Sequence, residues 1–149
     1  MTDVTDFAAL VHRDRGLCVV STLRAAGTIQ SSVVNAGVLD HPVVGGPVVG
    51  FTTRGGAAKL ANLRARPRAT IVVRAGWEWV AVEGLAEIAG PDDPLLGFDP
   101  AELPALLRQV FTAAGGTHDD WPTYDRVMAD ERRAAVLLTP DRVYSNAQG

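Results

Sequence analysis

The chain is short of several things, and each shortage narrows what it can be. It has one cysteine, Cys18, so no internal disulfide forms and a four-cysteine zinc module is excluded by count. It has one lysine, Lys59, all other basic residues being arginine. No apolar run approaches the roughly 20 residues that a membrane-spanning helix needs. The first residues mix Asp3, Asp6, His12, Arg13, Asp14 and Arg15 into a short helical pattern, which is unlike a signal peptide. His12, His41 and His118 are scattered, with no His-x-His or His-x-x-x-His spacing to hold a metal, and there is no Gly-x-Ser-x-Gly elbow. The expectation is a cytoplasmic protein without a metal and without a membrane partner.

What is present suits one folded unit. At 149 residues, 47% apolar and 21% charged, the composition is that of an ordinary globular domain, and residues 1–149 read as a single one. The net charge of −3 hides an uneven distribution. No Asp or Glu occurs between His41 and Trp77, an interval that carries Arg54, Lys59, Arg64, Arg66, Arg68 and Arg74. Such an island attracts anions over about a Debye length. It reads equally as an arginine face that pairs with acids elsewhere in the fold. Nucleic acid is disfavoured, because aromatics do not interleave with these cations and the remaining surface is acidic.

Patterning predicts a short helix capped by Asp6 and stopped at Gly16, then strands at 17–23, 28–39, 48–53, 69–75 and 77–89. Gly84 marks a bend or bulge in the fifth strand. A helix is expected at 57–64, and 90–132 reads as an insertion of loop and two helices, 101–114 and 121–132. The chain closes with a strand pair at 134–138 and 142–145, broken by Pro140-Asp141. Short strands joined by hairpin-scale turns indicate a mainly β barrel or sandwich decorated by helices.

Chemistry concentrates at Phe51-Thr52-Thr53-Arg54-Gly55-Gly56-Ala57-Ala58-Lys59. A strand ends in two hydroxyls, glycines follow, and a helix begins whose free N–H groups and positive dipole end suit a phosphate or carboxylate. Arg54 adds a planar fork and Lys59 a point charge. The plainer reading is a strand–turn–helix connection with exposed charges. It is not a nucleotide P-loop, since no Gly-Lys-Ser/Thr follows the glycines. Cys18 sits among strand apolars and reads as packed. Trp77 and Trp79, flanking Glu78, are expected on one face of the fifth strand. Tyr124 and Tyr144 lack a partner in the spacing. His118-Asp119-Asp120 reads as a helix cap rather than a cation site. An anion-binding turn without an acid–base constellation points to a cofactor that brings its own reactivity.

The order of Val20-Ser21-Thr22-Leu23-Arg24, then Phe51-Thr52-Thr53-Arg54-Gly55 with Lys59-Leu60-Ala61-Asn62-Leu63 and Arg66-Pro67-Arg68-Ala69, then Trp79-Val80-Ala81-Val82-Glu83-Gly84-Leu85-Ala86-Glu87, resembles the flavin/deazaflavin split-barrel oxidoreductases, the pyridoxamine 5'-phosphate oxidase-like family. More narrowly it is similar to their actinobacterial branch that uses coenzyme F420. The resemblance implies a six-stranded antiparallel split β-barrel, homodimeric, with cofactor sites at the subunit interface. It implies ring contacts from Ser31, Ser32, Val33, Val34 and Asn35. It implies a phosphate and acidic-tail site at Thr52, Thr53, Arg54, Ala58, Lys59 and Asn62, with Trp77 and Trp79 near the cofactor. FMN-binding relatives place arginine and lysine on the second strand, where this chain has Ser31-Ser32-Val33-Val34-Asn35, so the resemblance favours F420. The expected activity is hydride transfer from reduced F420 to an unsaturated or quinone-like small molecule, with no catalytic residue assigned. The alternatives are an FMN-binding enzyme of the same fold and a non-catalytic F420 carrier.

Overall fold

A computed structural model describes residues 1–146. The first helix, α1 (Val4–Val11), is capped by Asp3, whose side chain accepts from the Thr5 N–H, while the Asp6 carboxylate accepts from the Asp3 N–H. The expected cap at Asp6 is therefore corrected by one turn: Asp6 is the far half of a capping box, which ties down two N-terminal donors instead of one. Arg15 and Gly16, both left-handed at φ 58° and 75°, end this segment and aim the chain into the barrel.

The six strands are β1 (Leu17–Leu23), β2 (Ile29–Asp40), β3 (Pro47–Thr53), β4 (Arg68–Ala75), β5 (Glu78–Ala89) and β6 (Ala134–Ser145). Every pairing is antiparallel, and the sheet closes in the order β1-β2-β3-β6-β5-β4. The expected split barrel is thus the observed architecture. The last strand is one element, not the expected pair. Gly84 faces Pro140 while Glu83 faces Arg142, so Asp141 is an extra residue that β6 absorbs as a bulge. Gly84 is required there, because a Cβ would lie 1.8 Å from the Thr139 carbonyl oxygen.

Alternation fills the barrel with Val20, Val49, Phe51, Ile71, Val73, Val82, Val136 and Leu138. Helix α1 adds Phe7, Leu10 and Val11 to the same core, and α2 (Ala58–Ala65) adds Leu60 and Leu63. The strands β3 and β6 are also buried on their outer face. There Leu39, Val48 and Leu137 pack under Leu106, Leu107 and Val110 of α3 (Leu103–Ala113) and Tyr124 of α4 (Trp121–Asp130). Gly37 sets how closely this second layer approaches: a Cβ on it would sit 2.1 Å from the Ala113 carbonyl oxygen. No helix among the described residues is long and apolar enough to cross a membrane.

Candidate functional site

The barrel is paired unevenly along β2. Residues 36–40 pair with β3, whereas 29–35 pair only with β1. Beyond Ala36 the β3 side of β2 is therefore an open strand edge, whose backbone groups no neighbouring strand takes up. A cavity of about 570 Å³ lies there, a size common for small-molecule sites. Its barrel wall is Val33, Val34 and Asn35 of β2, Thr52 and Thr53 of β3, and Arg54, Ala57 and Lys59 of the following turn and helix. Its other wall is Val110, Phe111, Ala114, Gly115 and Gly116 from α3 and its exit, with Tyr124 and Met128 of α4. Arg15 and Arg133 complete the lining.

The turn between β3 and α2 is shaped by contact rather than by unusual dihedrals. Gly55 donates its N–H to the Glu131 carbonyl at 3.2 Å, and a Cβ on Gly55 would come within 3.0 Å of Arg132. The turn is thereby fastened to the segment joining α4 to β6. Ala57 caps α2 without any side-chain hydrogen bond; the Leu60 N–H donates to the Ala57 carbonyl, and the N–H groups of Ala58 and Lys59 have no partner among the described residues.

Most of the cationic island is spent on the protein itself. Arg64 makes a two-pronged pair with Asp93 at 2.7 and 2.8 Å, and Arg68 pairs with Asp141. Arg66 donates to the Leu23 carbonyl and Arg74 to that of Gly76. Acids from distant segments thus meet the island, as one of its two expected readings held. Lys59 differs, since no carboxylate or carbonyl among the described residues takes its ammonium. Burial, and then the charge of Arg133, pull its pKa below the ordinary lysine range. Arg54 and Arg133 share one acid: Glu131 Oε2 lies 3.3 Å from Arg54, and Oε1 accepts from Arg133 Nε at 2.9 Å. The Arg133 hydrogen bond, then its charge and that of Arg54, hold Glu131 below the usual carboxylate range.

Seven of the thirteen residues expected at a cofactor site line this cavity: Val33, Val34, Asn35, Thr52, Thr53, Arg54 and Lys59. The other six lie elsewhere in the chain. Ser31 turns outward and shares a hydrogen bond with Ser21 at 2.8 Å. Ser32 has a buried hydroxyl with no partner among the described residues. Ala58 follows the lining residue Ala57 and is exposed. Asn62 donates to Thr22 Oγ1 at 3.1 Å, which pins α2 to β1. Trp77 precedes β5 in the tight turn at Gly76 and is 93% exposed, so the expected strand start moves to Glu78 and the two tryptophans do not share a strand face. Trp79 meets Tyr144 edge-on at 6.0 Å, beside a separate groove along α1.

Sequence reasoning did not find Arg15 or Arg133; for the opposite wall it expected only that the 90–132 segment, with Thr117-His118-Asp119-Asp120-Trp121, shapes a substrate pocket or a dimer surface. Arg133 follows the acids Asp130 and Glu131, outside the acid-free interval, and its signal was the Arg132-Arg133 step before the last strand. The wall is an interlocked cluster: Phe111, Trp121 and Tyr124 meet one another at 5.1 to 6.1 Å, and His118 adds to them. Cys18 is buried, and burial pushes its thiol up to about 12, so it is packed and unreactive as expected.

No family model matches the chain. Solved structures do. A conserved hypothetical protein from Mycobacterium tuberculosis superposes with a TM-score of 0.70 at 19% identity, over 97% of this chain and 84% of that one. A pyridoxamine 5'-phosphate oxidase-related, FMN-binding protein from Nostoc punctiforme gives 0.66 at 16% identity, over 95% and 82%. An F420 reductase gives 0.60 at 20% identity, over 91% and 94%. At these identities the likeness is one of fold, and the fold is the split barrel of pyridoxamine 5'-phosphate oxidase-like proteins.

Proposed function

We propose that the chain is an F420-dependent oxidoreductase that reduces an unsaturated or quinone-like small molecule. The observation that carries this reading is the cavity's division of labour. One wall offers an open strand edge and a lysine without a protein partner; the other offers aromatic and apolar surface. The residues present fit a planar ring with an acidic tail. Lys59, Arg54, Arg133 and the uncapped start of α2 suit a phosphate and carboxylates. The edge of β2 suits a flat heterocycle that needs hydrogen-bonding groups, and the unpartnered Ser32 hydroxyl lies on that strand. Reduced F420, when bound, supplies the hydride, so the chain's own task is to position donor and acceptor and to exclude water. Of the four cations that line the cavity, Arg54, Lys59 and Arg133 gather at the β3–α2 turn and the start of β6, while Arg15 lies apart ahead of β1; 29–40 carries none, which favours a cofactor whose charge sits on a long tail.

The same reading includes a homodimer. Leu17, Val19, Leu23, Ile29 and Val33 project from the outer face of the β1–β2 hairpin and are 41–67% exposed, an apolar stripe that a second copy would cover. Val33 belongs to both the stripe and the cavity lining, so the partner would border the site, and Trp77 is the exposed aromatic available to reach it.

The experiment is a tryptophan-quenching titration with F420 and with FMN, followed by turnover with a panel of quinone and enone acceptors. Tighter binding of F420 and oxidation of its reduced form are expected. Purification with a tightly held FMN would replace F420 in this reading. Binding without transfer to any acceptor would leave a carrier.

A further inference from the structure

Among the described residues, Glu131 is the one carboxylate that reaches the cavity's guanidinium groups. It does not line the cavity itself; it bridges Arg54 and Arg133, which do, and which come from different parts of the chain. Its backbone is fixed by the bond from Gly55, so the side chain starts from a held position. The side chain is 28% exposed, and each oxygen has a different arginine. A carboxylate oxygen on a guanidinium makes the same hydrogen bond that a ligand phosphate or carboxylate would make. Arg54 is 68% exposed, so its pair with Glu131 adds little to the stability of the fold. The carboxylate's main effect is then its charge, which any anion entering between Arg54, Arg133 and Lys59 must face.

We propose that Glu131 is a built-in competitor for the anion site, holding Arg54 and Arg133 until a ligand with two or more linked anionic groups displaces it. The proposal rests on the cavity being an anion site, as the proposed function requires. A tethered carboxylate acts at high effective concentration, so a single small anion gains little by replacing it. A polyanion gains more, because it also reaches Lys59, which has no competitor. Glu131 thereby makes the site selective for multiply charged ligands, whichever cofactor they belong to.

The test compares inorganic phosphate with pyrophosphate by calorimetry, in the wild-type protein and in Glu131→Gln, with an F420 titration alongside. Removing the charge is expected to tighten phosphate about tenfold and pyrophosphate about threefold, since the smaller anion has less to offset the competition. Asp130→Asn removes the same charge one residue away and is expected to change both by less than twofold. Glu131→Ala repeats the test without the amide, and a thermal melt of each variant checks folding. Unchanged or weaker phosphate binding in both Glu131 variants would overturn the proposal while leaving the anion site standing. Normal competition between Glu131 and the inorganic anions, with no binding of F420, would instead remove the cofactor assignment and keep Glu131's role. Failure of every protein to bind either inorganic anion would remove both.

Discussion

The two walls of the cavity are built on different principles. The barrel wall is positioned by backbone: β3 lies between β2 and β6 in fixed register, with Thr52 opposite Ala135 and Thr53 opposite Ala134, and the charged turn simply continues from it. The helical wall is positioned by side chains, through Leu106, Leu107 and Val110 on the outer face of β3 and β6 and through the aromatic cluster around Phe111. Charge sits on the wall whose backbone the strand pairing holds. Shape sits on the wall that packing holds, where a change of side chain alters the space without disturbing the barrel. Under the proposed function, such an arrangement would let one anion site serve different acceptors.

The strongest way to break this comparison is to force the walls apart. Gly37→Val places atoms where the α3 backbone already is, and overpacking of this kind costs about 3 kcal/mol. Urea denaturation should show that loss, and ligand binding should fall with it. Wild-type stability in this variant would mean that the helical wall is not seated as described.

A more selective change removes charge and leaves the architecture. Lys59→Ala is expected to weaken F420 about tenfold while changing the melting temperature little, because the lost contact is to ligand and not to protein. Arg64→Ala should do the reverse, losing a fraction of the stability from its pair with Asp93 and leaving affinity intact. Equal effects of the two on binding would erase the distinction between the free lysine and the spent arginines.

The smallest expected effect is one of pH. Lys59 is held below the ordinary lysine range, first by burial and then by Arg133. A bound anion favours the protonated form, so affinity is full at neutral pH and falls as pH rises through that lowered value, before ordinary lysines titrate. Lys59→Arg should carry the decline to higher pH. An affinity that stays flat to the pH where free lysine loses its proton would separate Lys59 from the ligand.

Legibility followed the range of the forces involved. The strand–turn–helix step was readable because strand end, glycines, helix start and cations are contiguous from Thr52 to Lys59. The strands were readable from their alternation, and β1 falls on its expected bounds. Asn62 lies outside the cavity lining, and only its hydrogen bond to Thr22, 40 residues away, reveals that it ties α2 to β1. The last strand read as two because Pro140-Asp141 looks like a turn in one dimension, and only the register against Gly84 turns it into a bulge. Arg133 was invisible for a similar reason: nothing in its neighbours says that the exit of α4 meets the β3–α2 turn at Gly55.

The amino-acid order alone determined the elements, the acid-free cationic interval and the solitary lysine, since each depends on residues within a few positions of one another. Tertiary structure decided which cations are neutralised, where β2 loses its neighbour, and which helices face the opening. Those outcomes come from contacts between residues far apart in the chain, such as Arg64 with Asp93, 29 positions on, and Arg68 with Asp141, 73 positions on, and no local preference encodes the register that brings them together.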